Sequence, residues 1–336
     1  MSLSLLWEQC IAAYLREVFT AHSGSEGTVK SYASVLRGFF RHTNKAPELC
    51  TREDVVLFMA ASNHGHRNHG LPPSPGTRLY RKTVIHQLYV FAARYTCYDG
   101  YGRPYKLFVG ENPAAGLRYA PDDPRPEYLT AEEITRFFSA IPRDTAIGLR
   151  DYSYFLVLFL TARRRSEIAN LLWGDITFGT ITGEHGSRQG HLFKFKGKGR
   201  QAFDQAELPE PAYHSITRWL EASGRLATIE VDDPVYVAVG PRYGGAPRDP
   251  YARLSGSSIQ RAVKKYARLA GLEKRVHVHI FRHSSAKHRL DNGESIFSLK
   301  ETLRHKSLDQ AYRYARSLQT PADNGAALLM QQFAEL

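Results

Sequence analysis

The chain has 336 residues, with 45 Lys and Arg against 33 Asp and Glu, a formal charge of +12. A hydrophobic content of 43% with 23% charged residues is a globular balance that excludes intrinsic disorder, and the length predicts about two domains, each able to bury a core. The longest apolar run, residues 155–160, falls far short of the roughly 20 residues needed to cross a bilayer. The amino-terminal MSLSLLWEQC has no basic residue ahead of its apolar patch, and Cys10, Cys50 and Cys97 show no CxxC spacing. A membrane-spanning or secreted protein, a disulfide framework and a cysteine-held zinc are therefore not expected, and a cytoplasmic, reducing setting fits.

Residues 1 to about 100 read as helices. Trp7, Ile11, Leu15 and Val18 recur at helical spacing, as do Thr28, Tyr32, Leu36 and Phe39 or Phe40. Thr51-x-x-Asp54, ahead of Val55, Val56, Phe58 and Met59, resembles a capping box that opens a third helix. Residues 63–76 hold three prolines, three glycines and three histidines and read as a loop. A fourth helix carries Leu79, Val84, Leu88, Phe91 and Tyr95 on one side, with Arg78, Arg81, Lys82 and Arg94 among its polar positions. The four prolines of ENPAAGLRYAPDDPRPE suggest a linker over 111–127, between a helical domain 1–110 and a second domain 128–336. Thr130-x-x-Glu133 opens another helix with Ile134, Phe137 and Phe138 inward, and residues 150–172 read as one helical stretch through the second core. Residues 176–203, rich in β-branched and aromatic residues with Gly-rich turns, predict a small antiparallel sheet. Helices resume over 212–223, over 257–270 and from 282 onward. In the tail 317–336, Leu329, Phe333 and Leu336 fall at helical spacing. The fold class is mainly α with a small antiparallel β-sheet.

Excess positive charge points to nucleic acid as the leading partner, because each neutralised phosphate releases a counterion. Its distribution is uneven: Arg163, Arg164 and Arg165 are consecutive, and Lys194, Lys196, Lys198 and Arg200 alternate as on one face of a strand. Taken alone, such lysines serve equally well to keep a strand edge soluble.

Four local patterns gather the chemistry: TARRRSEIANLLWGDI (161–176), FKGKGRQ (195–201), HIFRH (279–283) and LRHKSLDQAYRY (303–314). In this order, behind a basic helical domain, they resemble the tyrosine recombinase, or phage integrase, family. Its signatures look like T-G-x-R-x-S-E, a hairpin G-K-G, H-x-L-R-H, and L-G-H followed nine positions later by a tyrosine. The resemblance covers most of residues 126–316 and places the family's catalytic residues on Arg164, Lys198, His279, Arg282, His305 and Tyr314. It implies a helical core-binding domain and a mixed α/β catalytic domain closing on DNA, and strand cutting and rejoining through a 3′-phosphotyrosine, without metal, ATP or other cofactor.

The residue types suit that chemistry. A tyrosine phenol is a nucleophile that stays attached to the cut strand. Two arginine forks, Arg164 and Arg282, can clamp the charge that builds on the non-bridging oxygens. Lys198 is the candidate donor of a proton to the departing 5′-hydroxyl. His279 is a candidate for proton transfer at the tyrosine, and His305 for a hydrogen bond to the phosphate. Glu167 reads as structural, pairing or capping inside the fold. Lys196 competes with Lys198, and Tyr312 with Tyr314. The chain departs from the family pattern at Ala162 and Arg304, where the signatures carry glycine. Histidines 64, 66 and 69, and 277, 279 and 283, raise a zinc site, but the first set lacks an obvious fourth ligand and the second would consume His279.

The partners implied are double-stranded DNA with short inverted half-sites and further copies of the chain, in a tetramer coupled through the tail. The rival functions are DNA relaxation of the type IB topoisomerase kind and non-catalytic DNA binding by the same fold.

Overall fold

The structure, a computed structural model, describes residues 3–21, 26–61, 72–119, 127–183, 186–196, 203–239, 249, 251–305 and 307–318. The chain divides into two compact units, Met1–Pro124 and Arg125–Leu336. Lys198, the first histidine set (64, 66 and 69) and tail residues 319–336 lie outside the described residues.

The first unit is built on α1 (Leu5–Ala21), α2 (Glu26–Thr43), α3 (Arg52–Ala60) and α4 (Pro75–Arg94). Trp7, Cys10, Tyr14 and Val18 form the buried stripe of α1, whereas Ile11 and Leu15 are only half-buried. The stripe is rotated from the predicted one because the bulky ring of Trp7 takes the centre, edge-on to Tyr89 and Phe108 with ring centroids 5.9 and 6.2 Å away. The capping box at Thr51 and Asp54 forms as read. The loop reading for 63–76 runs two residues too far, since Ser74 caps α4 and Pro75 occupies its first turn, where a missing N–H costs nothing. A hairpin of β1 (Thr96–Tyr98) and β2 (Pro104–Lys106) follows inside the region expected to be helical; its strands of three residues are too short to show a period. The start of the expected linker belongs to this unit: Ala114 is fully buried, and Asn112 donates to the His86 carbonyl.

Arg81 is the unit's main departure from expectation. It is buried, and its guanidinium donates to the carbonyls of Phe58 and Ala61 while lying over the Phe58 ring. Those carbonyls belong to the end of α3, where no further turn of helix exists to receive them.

The second unit runs α5 (Ala131–Ser139), α6 (Ala146–Thr161), α7 (Arg165–Ala169), then β3 (Ile176–Gly183), β4 (Gly186–Lys196) and β5 (Phe203–Glu207). It continues with α8 (Glu210–Ala222), α9 (Gly256–Leu269), α10 (Ile280–Asp291), α11 (Ile296–Leu303) and α12 (Leu308–Leu318). The sheet is antiparallel in the order β3-β4-β5. Phe193 and Phe195 point from β4 into the core while Lys194 and Lys196 point out, the alternation read from the sequence. Thr130 and Glu133 cap α5 reciprocally. The single helical stretch predicted for 150–172 is broken: Ala162 ends α6 in the left-handed region at φ 53°, and α7 starts again at Arg165. The break releases carbonyls at the end of α6, and arginine side chains take them up, as described below.

The contacts of Arg81 generate a test. Arg81→Ala removes two charge-assisted bonds and uncovers buried carbonyls, so it should lower unfolding free energy by about 2 kcal/mol, read from urea unfolding curves.

Candidate active site

Five of the six candidate residues are described, and all five lie in the second unit around the ends of α6 and α11. Three guanidiniums collect the carbonyls released where α6 stops. Arg289 donates to Leu160, Arg163 to Thr161, and Arg282 to Ala162 at 2.6 Å. Arg163 and Arg282 also reach the end of α11, donating to the carbonyls of Thr302 and Leu303. Both helix ends present partial negative charge, so each arginine is held by hydrogen bonds and by the helix dipoles. Burial lowers the pKa of Arg163 and Arg282 to about 10, which leaves both charged at neutral pH. Arg282 spends two of its five N–H donors on these carbonyls and keeps the others.

Arg164 is held differently. It stands at the N-terminus of α7, where its backbone N–H donates to Glu167 Oε2 at 2.9 Å and its guanidinium to Glu167 Oε1 at 3.0 Å. Glu167 is buried, with a side chain 3% exposed, while the Arg164 side chain is 34% exposed. The carboxylate thus fixes the backbone and the head group of one residue together and leaves part of the cation open to a ligand. The arginine triplet divides its work: Arg163 faces the core, Arg164 the site and Arg165 solvent.

Tyr314 lies on α12, packed against a small cluster that includes Ala162, Ala286 and Leu303. Its hydroxyl bonds His283 Nδ1, and its ring lies 5.5 Å from that of His283 and 5.2 Å, edge-on, from that of His305. Burial raises the phenol pKa, against the opposing pull of the Arg282 charge. Tyr312, two residues earlier, is 59% exposed. His305 follows the left-handed turn at Arg304, and its Nδ1 is buried without a hydrogen-bond partner among the described residues. A buried polar atom left unpaired is costly. His279 sits at the N-terminus of α10 with its ring 5.9 Å from His283.

His283 is the residue sequence reasoning passed over. It lies four residues beyond His279, one helical turn on, which puts both rings on the same side of α10. His277, His279 and His283 are neighbours, but among the described residues no group of His, Cys, Asp or Glu is gathered to hold a metal ion.

Histidine electrostatics in the site are governed by burial among cations. Burial, then His279, His277 and Arg282, press His283 down to about 4; burial, then Arg282 and Arg164, press His305 to about 4. Both are neutral at pH 7, so His283 can accept the tyrosine proton. Their ordinary pKa is near 6.5, so between about pH 6.5 and 4 the unfolded chain binds more protons than the folded one. The second unit should therefore lose stability as pH falls through that window, and the loss should shrink in His283→Gln. Thermal unfolding measured at half-unit steps of pH checks this.

Residues 127–320, more than half of the chain, match the phage integrase family. A tyrosine recombinase XerC from Xylella fastidiosa is 31% identical over 210 residues, 61% of this chain and 62% of that protein. A tyrosine recombinase XerA from Pyrococcus furiosus is 32% identical over 217 residues, 64% of this chain and 66% of its own length. The chain thus spans slightly less than two thirds of the curated relatives it matches. Among solved structures, a lambda integrase tetramer bound to a Holliday junction shares the fold with a TM-score of 0.64 at 14% identity, covering 94% of this chain and 79% of that one. Among the described residues no helix is long and apolar enough to cross a membrane. With more than half of its residues matched, this chain is a member of the phage integrase family.

Proposed function

We propose that the protein is a site-specific DNA recombinase that cuts and rejoins strands through a covalent 3′-phosphotyrosine on Tyr314. The observation that carries the reading is the convergence of the Tyr314 hydroxyl, His283, His305 and the charged fork of Arg282. In this mechanism the phosphodiester sits against Arg164 and Arg282, whose charges are already held in place and need no rearrangement as negative charge builds. His305 donates a hydrogen bond to the same phosphate, and His279 adds a polar edge beside Arg282. Tyr314 forms the new O–P bond while its proton passes to His283, the acceptor already in contact with it. Lys198 gives a proton to the 5′-oxygen as its bond to phosphorus breaks. The phosphotyrosine is itself a phosphodiester, so a second 5′-hydroxyl rejoins the strand by the reverse steps, and the bond energy is retained.

The first unit supports DNA as the substrate. A groove of about 1040 Å³ there is lined by Lys30, Arg37, Arg41 and His42 beside Val35, Phe58 and Tyr80, and its cations are suited to phosphates. Half-sites in inverted repeat and a tetramer of the chain complete the reading, supported by the tetrameric assembly of the lambda integrase that shares the fold. Such a protein would work in the cytoplasm, on the chromosome or on DNA entering it.

The test needs no known target. The protein is incubated with sheared genomic DNA, denatured in detergent, and covalently linked fragments are captured and sequenced. Wild type should yield adducts enriched in one sequence, and Tyr314→Phe none. Adducts lost with Tyr312→Phe instead would move the nucleophile, and tight binding without any adduct would favour a non-catalytic DNA-binding protein. On a duplex carrying the captured site, His283→Ala should bind DNA normally yet slow adduct formation about 100-fold, as measured in single-turnover cleavage.

A further inference from the structure

Arg165 occupies a position that the family signature T-G-x-R-x-S-E leaves open, directly after Arg164. Its backbone is fixed, since its carbonyl accepts a hydrogen bond of 2.8 Å from the hydroxyl of Tyr154, a buried residue. Its side chain is exposed yet lies against Gly256, the first residue of α9. A Cβ on Gly256 would fall 2.9 Å from the guanidinium carbon and 3.0 and 3.1 Å from its two terminal nitrogens. Three nearly equal distances mean that the guanidinium lies flat on the glycine, in space any other side chain would fill. The N–H donors of a guanidinium lie in its plane, so this stacking consumes none of them.

Nothing in the backbone asks for glycine there. Gly256 is not among the residues with positive φ, and alanine is the better helix former. The missing side chain therefore serves the approach of Arg165. The cation is also uncompensated: Arg164 is paired with Glu167, but Arg165 has no carboxylate partner among the described residues. Nearby, Arg253 donates to Asn170 and Arg261 to Ser258, so the neutral groups around it are occupied by other arginines. His279 registers the charge as well: burial, then Arg282, His277, Arg164 and Arg165, hold its pKa below the ordinary value. Arg165 thus borders the same site.

We infer that Arg165 binds a DNA phosphate flanking the scissile one, and that Gly256 is its positioning residue, the bare backbone that keeps the guanidinium flat with its N–H edge outward. This rests on the recombinase reading above. A guanidinium already laid in place loses little freedom when phosphate arrives, and the contact grips the DNA backbone without reading bases.

The experiment measures binding of the full-length chain carrying Tyr314→Phe, which cannot cut, to a duplex with the captured site over a range of salt. Arg165→Gln should weaken binding about tenfold and reduce the slope of log affinity against log salt by about one. Gly256→Ala keeps the charge and displaces only the end of an exposed, flexible side chain. It should weaken binding by nearly as much while thermal stability holds or rises. Added to Arg165→Gln, it should cost nothing further. Duplexes with a neutral methylphosphonate at one or other phosphate flanking the scissile position locate the contact. One of them should weaken binding of the parent protein and make no difference to Arg165→Gln.

Unchanged affinity and salt slope in Arg165→Gln would overturn the inference, as would methylphosphonates that weaken both proteins equally. So would a loss from Gly256→Ala that persists without Arg165 or comes with a lower melting temperature, the mark of a packing role. If wild type forms no adduct, the recombinase reading falls and this inference with it. Adducts without the coupling between Arg165 and a flanking phosphate overturn this inference alone.

Discussion

The second unit depends on how its buried arginines meet the ends of two helices. A helix end leaves carbonyls with no partner inside the helix, and α6 and α11 both end on left-handed residues in the interior. Water cannot serve these carbonyls, and guanidiniums do. The charges need the carbonyls as much as the carbonyls need the charges, since a cation removed from water must find acceptors. Arg163 and Arg282 each touch both helix ends, so α6, α10 and α11 come together only in one arrangement. On the proposed function Arg282 thus belongs to both the scaffold and the phosphate clamp.

That arrangement sets the electrostatics around the tyrosine. Arg164, Arg282 and Arg163 raise the local potential, and burial adds to it. Histidines placed there lose their protons, so the neutral imidazole of His283 has one nitrogen able to accept, and Nδ1 of His305 has no partner among the described residues. The tyrosine experiences opposing influences: desolvation holds its proton on, and the Arg282 charge favours its release. On the proposed function, a bound phosphate would offset part of the positive charge and so shift the proton balance of the site. Glu167 contributes from the other side, fixing Arg164 rather than reacting, in keeping with its structural reading in the sequence.

Much of this was legible in the sequence, for reasons that can be stated. Capping boxes at Thr51 and Thr130 are local chemistry, and local chemistry survives folding. The alternation of Phe193, Lys194, Phe195 and Lys196 has the period of a strand, and it became one. The order of the four motifs identified the family without any contact being known. What escaped was long-range. Nothing in RRR tells which arginine turns inward, because that is decided by carbonyls more than a hundred residues away, such as that of Thr302. Arg81 looked like a surface cation, because its acceptors lie in another helix. The break of α6 at Ala162 was hidden since alanine is the residue least suggestive of a helix end. His283 was masked by His279, the histidine that the family motif singles out.

The double use of Arg282 also bears on safety. On the proposed function, an enzyme that severs chromosomal strands would be dangerous if a half-folded or damaged copy could still cut them. On that reading the nucleophile, its proton acceptor and its phosphate ligands come from separate elements between α7 and α12, and Arg163 and Arg282 tie the ends of α6 and α11 together among them. On that reading, a chain that lost these ties would lose the geometry for breaking DNA along with its fold.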